Sequence, residues 1–327
     1  MFDALRPIDI FAAARRLEGV AVRTPLRRSS ALSAIAGTDV FLKLETEQVT
    51  GSFKIRGAFN AIASLPDDVR ARGVVASSAG NHGLGVAWAA RHFRIPATIY
   101  VPSTAPAVKR EGIATLGATV DTSEPDYDAA MARAKRVAAE RGATFINPCL
   151  GDTLIAGQGT VALEIIQELP ALAAVLLPVG GAGLLAGTGS LLRRVAPHVR
   201  IVGAQSVNTA AMARSLRAGH TVEIPSVPTL ADGLAGGIDD YALDIGRHAL
   251  DGIVTLEEDD IARAILWLLR EEGVTAEGAG AAGVAALLSG VARALLPEGP
   301  LAVIVSGRNI DATRLAELRA RVSESAA

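Results

Sequence analysis

The sequence is short of several things, and each shortage excludes a class of function. It holds one cysteine, Cys149, in 327 residues, so an intramolecular disulfide and a metal site built from several thiolates are both excluded. The five histidines, His82, His92, His198, His220 and His248, are scattered without metal-ligand spacing. Charge of one sign is also missing: 32 Lys+Arg face 34 Asp+Glu for a formal net charge of -2, with no long run of either sign. Nucleic acid and an anionic membrane surface therefore gain no support as partners. No apolar run approaches membrane length, and the opening "MFDALRPIDIFAAARRLEG" reads as a helix with charges throughout. A cytoplasmic location is expected. There is no internal repeat and no low-complexity linker.

Half of the residues are hydrophobic and 33 are glycine, as in a compact soluble protein long enough for two lobes. Apolar runs ("VFLKLE", "GVVASS", "ATIYVP", "TFINP", "AAVLLPVGG", "RIVGAQS", "DGIVTL", "LAVIVSG") alternate with stretches of helical period such as "GLGVAWAARHF", "DAAMARAKRVAAERG" and "DDIARAILWLLREEG". The alternation predicts an α/β fold with parallel sheets flanked by helices. In such sheets ligands gather beyond the carboxyl ends of strands, which directs attention to the residues that close each run.

Lys54, in "VTGSFKIRG", has an odd seat for a solubilising charge. It lies between Phe53 and Ile55 at the start of a predicted helix, where the helix dipole and partial desolvation both favour the neutral, nucleophilic amine. The plainer reading is a lysine whose stem packs while its head reaches solvent.

Three strand ends bear on the choice. "GVVASSAGNHGLGV" sets Ser77, Ser78, Gly80, Asn81, His82 and Gly83 between a strand and a helix, a turn whose amides suit a carboxylate; an ordinary helix cap explains fewer of these residues. "VLLPVGGAGLLAG" follows a buried strand with Gly180, Gly181, Ala182 and Gly183 and opens a helix, an arrangement that cradles phosphate. Gly181, Gly183 and Ala186 also fit the dinucleotide pattern G-x-G-x-x-A. That reading wants an acid at the end of the next strand, and "RIVGAQS" offers Gln205 instead. "LAVIVSGRNID" delivers Ser306 to a sheet edge, where its hydroxyl can cap a helix or donate to a ring nitrogen. A nucleophilic lysine, a carboxylate turn, a phosphate turn and a hydroxyl together point to pyridoxal 5'-phosphate, which bonds to lysine and carries a phosphate tail.

"LKLETEQVTGSFKIRGAFNAI", "SSAGNHGLGVAWAA", "IAGQGTVALEI", "PVGGAGLLAG", "TLADGL" and "SGRNID" resemble, in order, the blocks of the serine/threonine dehydratase family of pyridoxal phosphate enzymes, from about Pro25 to Asp311. The resemblance implies fold type II, like the β subunit of tryptophan synthase: a large cofactor-binding domain from 1–65 and 151–327, and a small domain, 66–150, inserted in it, with the cofactor between the lobes. It implies that Lys54 forms the Schiff base and that Phe53 and Asn81 contact the cofactor ring. Gly180, Gly181, Ala182, Gly183 and Leu184 would hold the phosphate, Ser306 would face the pyridine nitrogen, and Glu277 matches an acid near the cofactor. Ser78, Ala79, Asn81 and His82 would form the turn that receives the substrate.

Departures from the family pattern carry information too. Its four-glycine phosphate loop is here Gly-Gly-Ala-Gly. Serine racemases of the family carry a second acid/base serine where this chain has Ala79, which favours elimination over racemisation. Metal-binding relatives place acids where Gln205 and Ala211 stand, so no metal is expected there. Arg308 replaces a glycine common in relatives and bears on substrate choice. The sequence ends soon after the Ser306 block, so the regulatory domain of biosynthetic threonine dehydratases is not expected.

The implied reaction is β-elimination, a deaminating dehydration, of a β-hydroxy amino acid, L-threonine or L-serine, giving a 2-oxo acid and ammonia, by an enzyme expected to form a homo-oligomer, dimer or tetramer. Alternatives are a dehydratase for 3-hydroxyaspartate, phenylserine or a hydroxylated intermediate of ectoine degradation, a β-replacement enzyme such as cysteine synthase, or an amino-acid sensor that kept the fold.

Overall fold

The eight apolar runs become strands of two sheets: β2 (Val40–Leu44), β3 (Val74–Ser77), β4 (Ala97–Pro102), β6 (Thr144–Phe145), β7 (Ala174–Pro178), β8 (Arg200–Ser206), β9 (Gly252–Leu256) and β10 (Leu301–Val305). Two more, β1 (Leu26–Ser29) and β5 (Thr119–Glu124), were not among those runs. The computed structural model describes Leu5 and residues 8–325; the start of the expected N-terminal helix and the domain ends at residues 1 and 327 lie outside the described residues. The helix itself runs over Ile10–Leu17, its first turn capped by the Asp9 carboxylate, which accepts from the amide of Ala12.

The chain divides into two compact units, one of Arg23–Glu47 with the chain from Val161 onward, the other of Ile8–Val22 with Gln48–Thr160. The first holds a six-stranded sheet in the order β1-β2-β10-β7-β8-β9, parallel except for the β1–β2 pair. β7 and β10 are buried along their whole length, as strands covered on both faces must be. Against them lies the helix Gly278–Leu288, every residue of which from Gly278 to Leu287 is buried. Its sequence, GAGAAGVAALL, is apolar all round, which fits a helix packed on all sides. β2 also buries Lys43. Its fully buried Nζ donates to Glu164 Oε2 and to the Thr24 carbonyl, both at 2.6 Å.

The second unit holds a four-stranded parallel sheet, β5-β4-β3-β6. It takes in the helix Lys54–Ala63 as well as the 66–150 stretch, and the reason is local. A Cβ on Gly85 would stand 3.3 Å from the carbonyl carbon of Lys54 and the amide of Ile55, so glycine lets the helix Asn81–Phe93 ride against that backbone. Among the described residues, no helix is long and apolar enough to cross a membrane.

Candidate active site

Each strand end singled out in the sequence is the carboxyl end of a central parallel strand: β3 runs into Ser78, β7 into Gly180 and β10 into Ser306. The second unit brings together Phe53, Lys54, Ser78, Ala79, Asn81 and His82. Lys54 is the first residue of its helix, and Phe53 caps that helix with backbone only. The Lys54 amine donates to the Pro148 carbonyl at 2.8 Å and stands 5.4 Å from the centroid of the Phe53 ring. The plainer expectation, a lysine head turned to solvent, does not describe this hydrogen bond.

Asn81 opens the helix Asn81–Phe93, whose N-cap, Gly80, makes no side-chain cap. Gly80 has no side chain to cap the first turn, and the positive end of the helix dipole lies at this turn. Gly83 makes the turn possible, because a Cβ there would sit 2.2 Å from the Ser78 carbonyl oxygen. The Ser78 hydroxyl accepts from the Gly80 amide at 3.2 Å. His82 is buried, and its Nε2 pairs with the Ile146 carbonyl at 2.9 Å. A carbonyl only accepts, so Nε2 carries a proton and donates it. Burial, reinforced by the nearby Lys54 charge, draws the His82 pKa down to about 3.

The first unit brings together the glycine loop, Glu277 and Ser306. Ala182 is the N-cap of the helix Gly183–Val195 and supplies no side-chain cap, so the first-turn amides there lack a side-chain acceptor from the cap. A short segment packs over the loop: a Cβ on Gly180 would lie 3.1 Å from Leu234 Cα, and one on Gly278 would lie 2.1 Å from the Leu230 carbonyl oxygen. Glu277 is buried at the start of the helix Gly278–Leu288, and its amide donates to the Gly307 carbonyl at 3.0 Å. That bond holds the turn following buried Ser306. Arg308, next along, is exposed. Gln205 is fully buried: its Nε2 donates to the carbonyls of Val179 and Thr209 and its Oε1 accepts from the Ala213 amide.

Sequence reasoning missed two supports. One is the Pro148 carbonyl, although the strand "TFINP" was recognised and inspecting its end, as for the other strands, would have raised it. The other is Glu258, which accepts from the hydroxyls of Ser206 and Thr229 and from the Leu230 amide, pinning the segment that covers Gly180. "TLADGL" stood out as a block with no role; its role is this packing.

The family model for pyridoxal-phosphate dependent enzymes matches residues 17–307. The chain belongs to that family. It is 44% identical to an L-threonine ammonia-lyase of Thermotoga maritima, over 93% of this chain and 75% of that protein. It is 36% identical to the catabolic L-threonine dehydratase of Escherichia coli K12, over 95% and 94%. The maize serine racemase structure superposes with a TM-score of 0.89 at 33% identity, covering 97% of both chains. As a pyridoxal-phosphate dependent enzyme of fold type II, it has residues that fit the cofactor. Lys54 offers a primary amine for an aldehyde, and the uncapped amides at Gly183 suit a phosphate. The buried hydroxyls of Ser52 and Ser77 lack hydrogen-bond partners among the described residues, leaving polar capacity beside Lys54 and Ser78.

Proposed function

We propose that the enzyme is an ammonia-lyase that dehydrates and deaminates a β-hydroxy amino acid, L-threonine or L-serine, to a 2-oxo acid and ammonia. The observation that carries this reading is the Lys54 amine, held at the Pro148 carbonyl in the unit that also presents the uncapped Asn81 turn. Identity of 44% to an L-threonine ammonia-lyase supports the choice of substrate. Gly180, Gly181, Ala182, Gly183 and Leu184 hold the cofactor phosphate in this reading. Phe53 and Asn81 take its ring, Ser306 serves its ring nitrogen, and Glu277 stands near it. Pyridoxal phosphate supplies an aldehyde that condenses with amines and a conjugated ring that takes up the electron pair left at Cα.

The chain's residues do the rest. Ser78 and the first-turn amides from Asn81 receive the substrate carboxylate. Lys54 takes the Cα proton, and the β-hydroxyl leaves with a proton as water. The enamine left behind takes up water and releases ammonia, so the two waters cancel and threonine gives 2-oxobutanoate. Ser306 is a neutral partner that does not force a proton onto the ring nitrogen as a carboxylate would, which favours elimination over transamination. Ala79 offers only a methyl group, and inversion at Cα needs a proton donor on the face opposite Lys54. An unplaced donor forgoes roughly 10²- to 10⁴-fold in rate. The reading includes a cytoplasmic homo-oligomer, dimer or tetramer.

The test incubates the holoenzyme with L-threonine, L-serine and a panel of larger β-hydroxy amino acids, and reads 2-oxo acid release alongside chiral analysis of the remaining amino acid. Far more 2-oxo acid than D-isomer is expected, and Lys54→Ala should abolish both the Schiff-base absorption band and turnover. Comparable amounts of D-isomer and 2-oxo acid would replace the lyase reading by a racemase one, as would normal turnover by Lys54→Ala remove the mechanism.

A further inference from the structure

The chain between β6 and the helix Asp152–Glu168 forms a strap, Ile146–Leu150, whose middle carbonyl receives the Lys54 amine. One end of the strap is fastened to the rest of the unit, and the remainder folds on itself. At the near end the Ile146 carbonyl accepts from His82 Nε2 at 2.9 Å, while the Ile146 amide donates to the Val75 carbonyl of β3 at 2.8 Å. Within the strap the Asn147 Oδ1 accepts from the amides of Cys149 and Leu150, each at 2.9 Å, a local turn that stiffens it. Between them stands Pro148, whose ring fixes φ and restricts Asn147 before it. The acceptor offered to Lys54 is therefore a carbonyl on stiff backbone.

We propose that His82 is a positioning residue for the lysine: its ring, by donating to Ile146, fixes the strap whose Pro148 carbonyl holds the Lys54 amine whenever that amine is not joined to the cofactor. This rests on the reading of Lys54 as the cofactor lysine. The sequence resemblance assigned His82 to the substrate carboxylate, but its one ring donor is committed to Ile146. The other nitrogen, Nδ1, is buried with no partner among the described residues and can only accept. A carboxylate needs donors, so the His82 contribution to such a ligand is its backbone amide in the first helical turn. The neutral ring also adds no second positive charge beside Lys54. An amine that leaves the cofactor in each turnover must return to the same place, and a misplacement of about 1 Å can cost on the order of 10²-fold.

The experiment compares holoenzyme carrying His82→Leu, which lacks the donor, with His82→Gln, which keeps one at similar reach. Hydrogen–deuterium exchange of the 146–150 peptide should be roughly five- to tenfold faster in His82→Leu, the factor for one lost net hydrogen bond. Its kcat should fall by roughly 10- to 100-fold with KM within about twofold, and His82→Gln should recover both. Asn147→Ala loosens the strap by removing its internal side-chain bonds and should give the same pair of changes, which keeps the test decisive if His82→Leu does not fold. Wild-type exchange and kcat in the variants that fold would overturn the proposal. So would equal damage in Gln and Leu, or a change confined to KM, which would return His82 to the substrate. Borohydride reduction of the wild type, followed by peptide mass analysis, tests the underlying reading separately: cofactor mass on any peptide other than that of Lys54 sinks the reading itself.

Discussion

Ala182 holds a left-handed backbone, φ 66° and ψ 1°, a conformation that costs a residue with a Cβ about 1–2 kcal/mol. A glycine there would be free of that cost. It would lose about 0.4–1 kcal/mol through the greater freedom of the unfolded chain. The first effect is the larger, so Ala182→Gly should raise the thermal midpoint by about 1–2 °C, measured on apo and holo protein alike. A fall in both forms would mean that the methyl contributes packing that outweighs the strain. The sequence already showed alanine in a loop of glycines as a slight restriction of backbone freedom; the positive φ turns that into a signed quantity. Lys54 shows the opposite limit. Its neighbours marked it as unusual, yet its acceptor, a backbone carbonyl 94 positions away in sequence, has no side-chain signature to read.

At the scale of elements, close backbone approaches set where the functional loops sit. The helix Gly278–Leu288 is drawn against the turn after β10 because a Cβ on Gly280 would meet the Gly307 carbonyl oxygen at 2.5 Å and its nitrogen at 3.1 Å. Neither atom belongs to a side chain that can swing away. Gly280→Ala should therefore displace the Ser306 turn, cost about 1–3 kcal/mol as overpacking does, and shift the absorption spectrum of the bound cofactor. Gly112→Ala is the control. Its Cβ would meet only the Leu84 side chain, at 3.6 Å, inside the helix Ala107–Ala114, so stability should be unchanged or rise by less than about 1 kcal/mol. Equal thermal midpoints and spectra for the two variants would show that the Gly280 contact is not what positions the turn. The same scale explains the two strands absent from the sequence reading. β1, LRRS, and β5, TVDTSE, are edge strands with one face or more open to water, so neither makes the apolar run that marks a strand buried on both faces.

For the whole molecule, His82 couples folding to pH. Its folded pKa is about 3 against an ordinary 6.5, so between those values the unfolded chain binds a proton that the folded one refuses. Stability from this group is complete above about pH 6.5 and declines as pH falls toward 3, by at most about 1.4 kcal/mol per pH unit. Thermal midpoints measured from pH 7 to pH 4 should fall more steeply for the wild type than for His82→Gln. The difference isolates the histidine from the carboxylates, whose contribution both proteins share. Parallel curves would show that His82 is protonated in the folded protein without penalty.

The α/β class, the central strands and the cofactor were legible in the sequence alone, which also singled out Lys54, the glycine loop and the Ser306 turn for inspection. These follow from local patterns: apolar runs for strands buried on both faces, and glycines or hydroxyls clustered at their carboxyl ends. Tertiary structure decided what those residues touch. The pairing of Lys54 with Pro148, the commitment of His82 to Ile146, the burial of Lys43 against Glu164, and the hold of Glu258 on the Leu230 segment all join positions far apart in the chain. Three of these four use a backbone amide or carbonyl; every residue carries the carbonyl and every residue other than proline the amide N–H, so side-chain identity alone does not announce them.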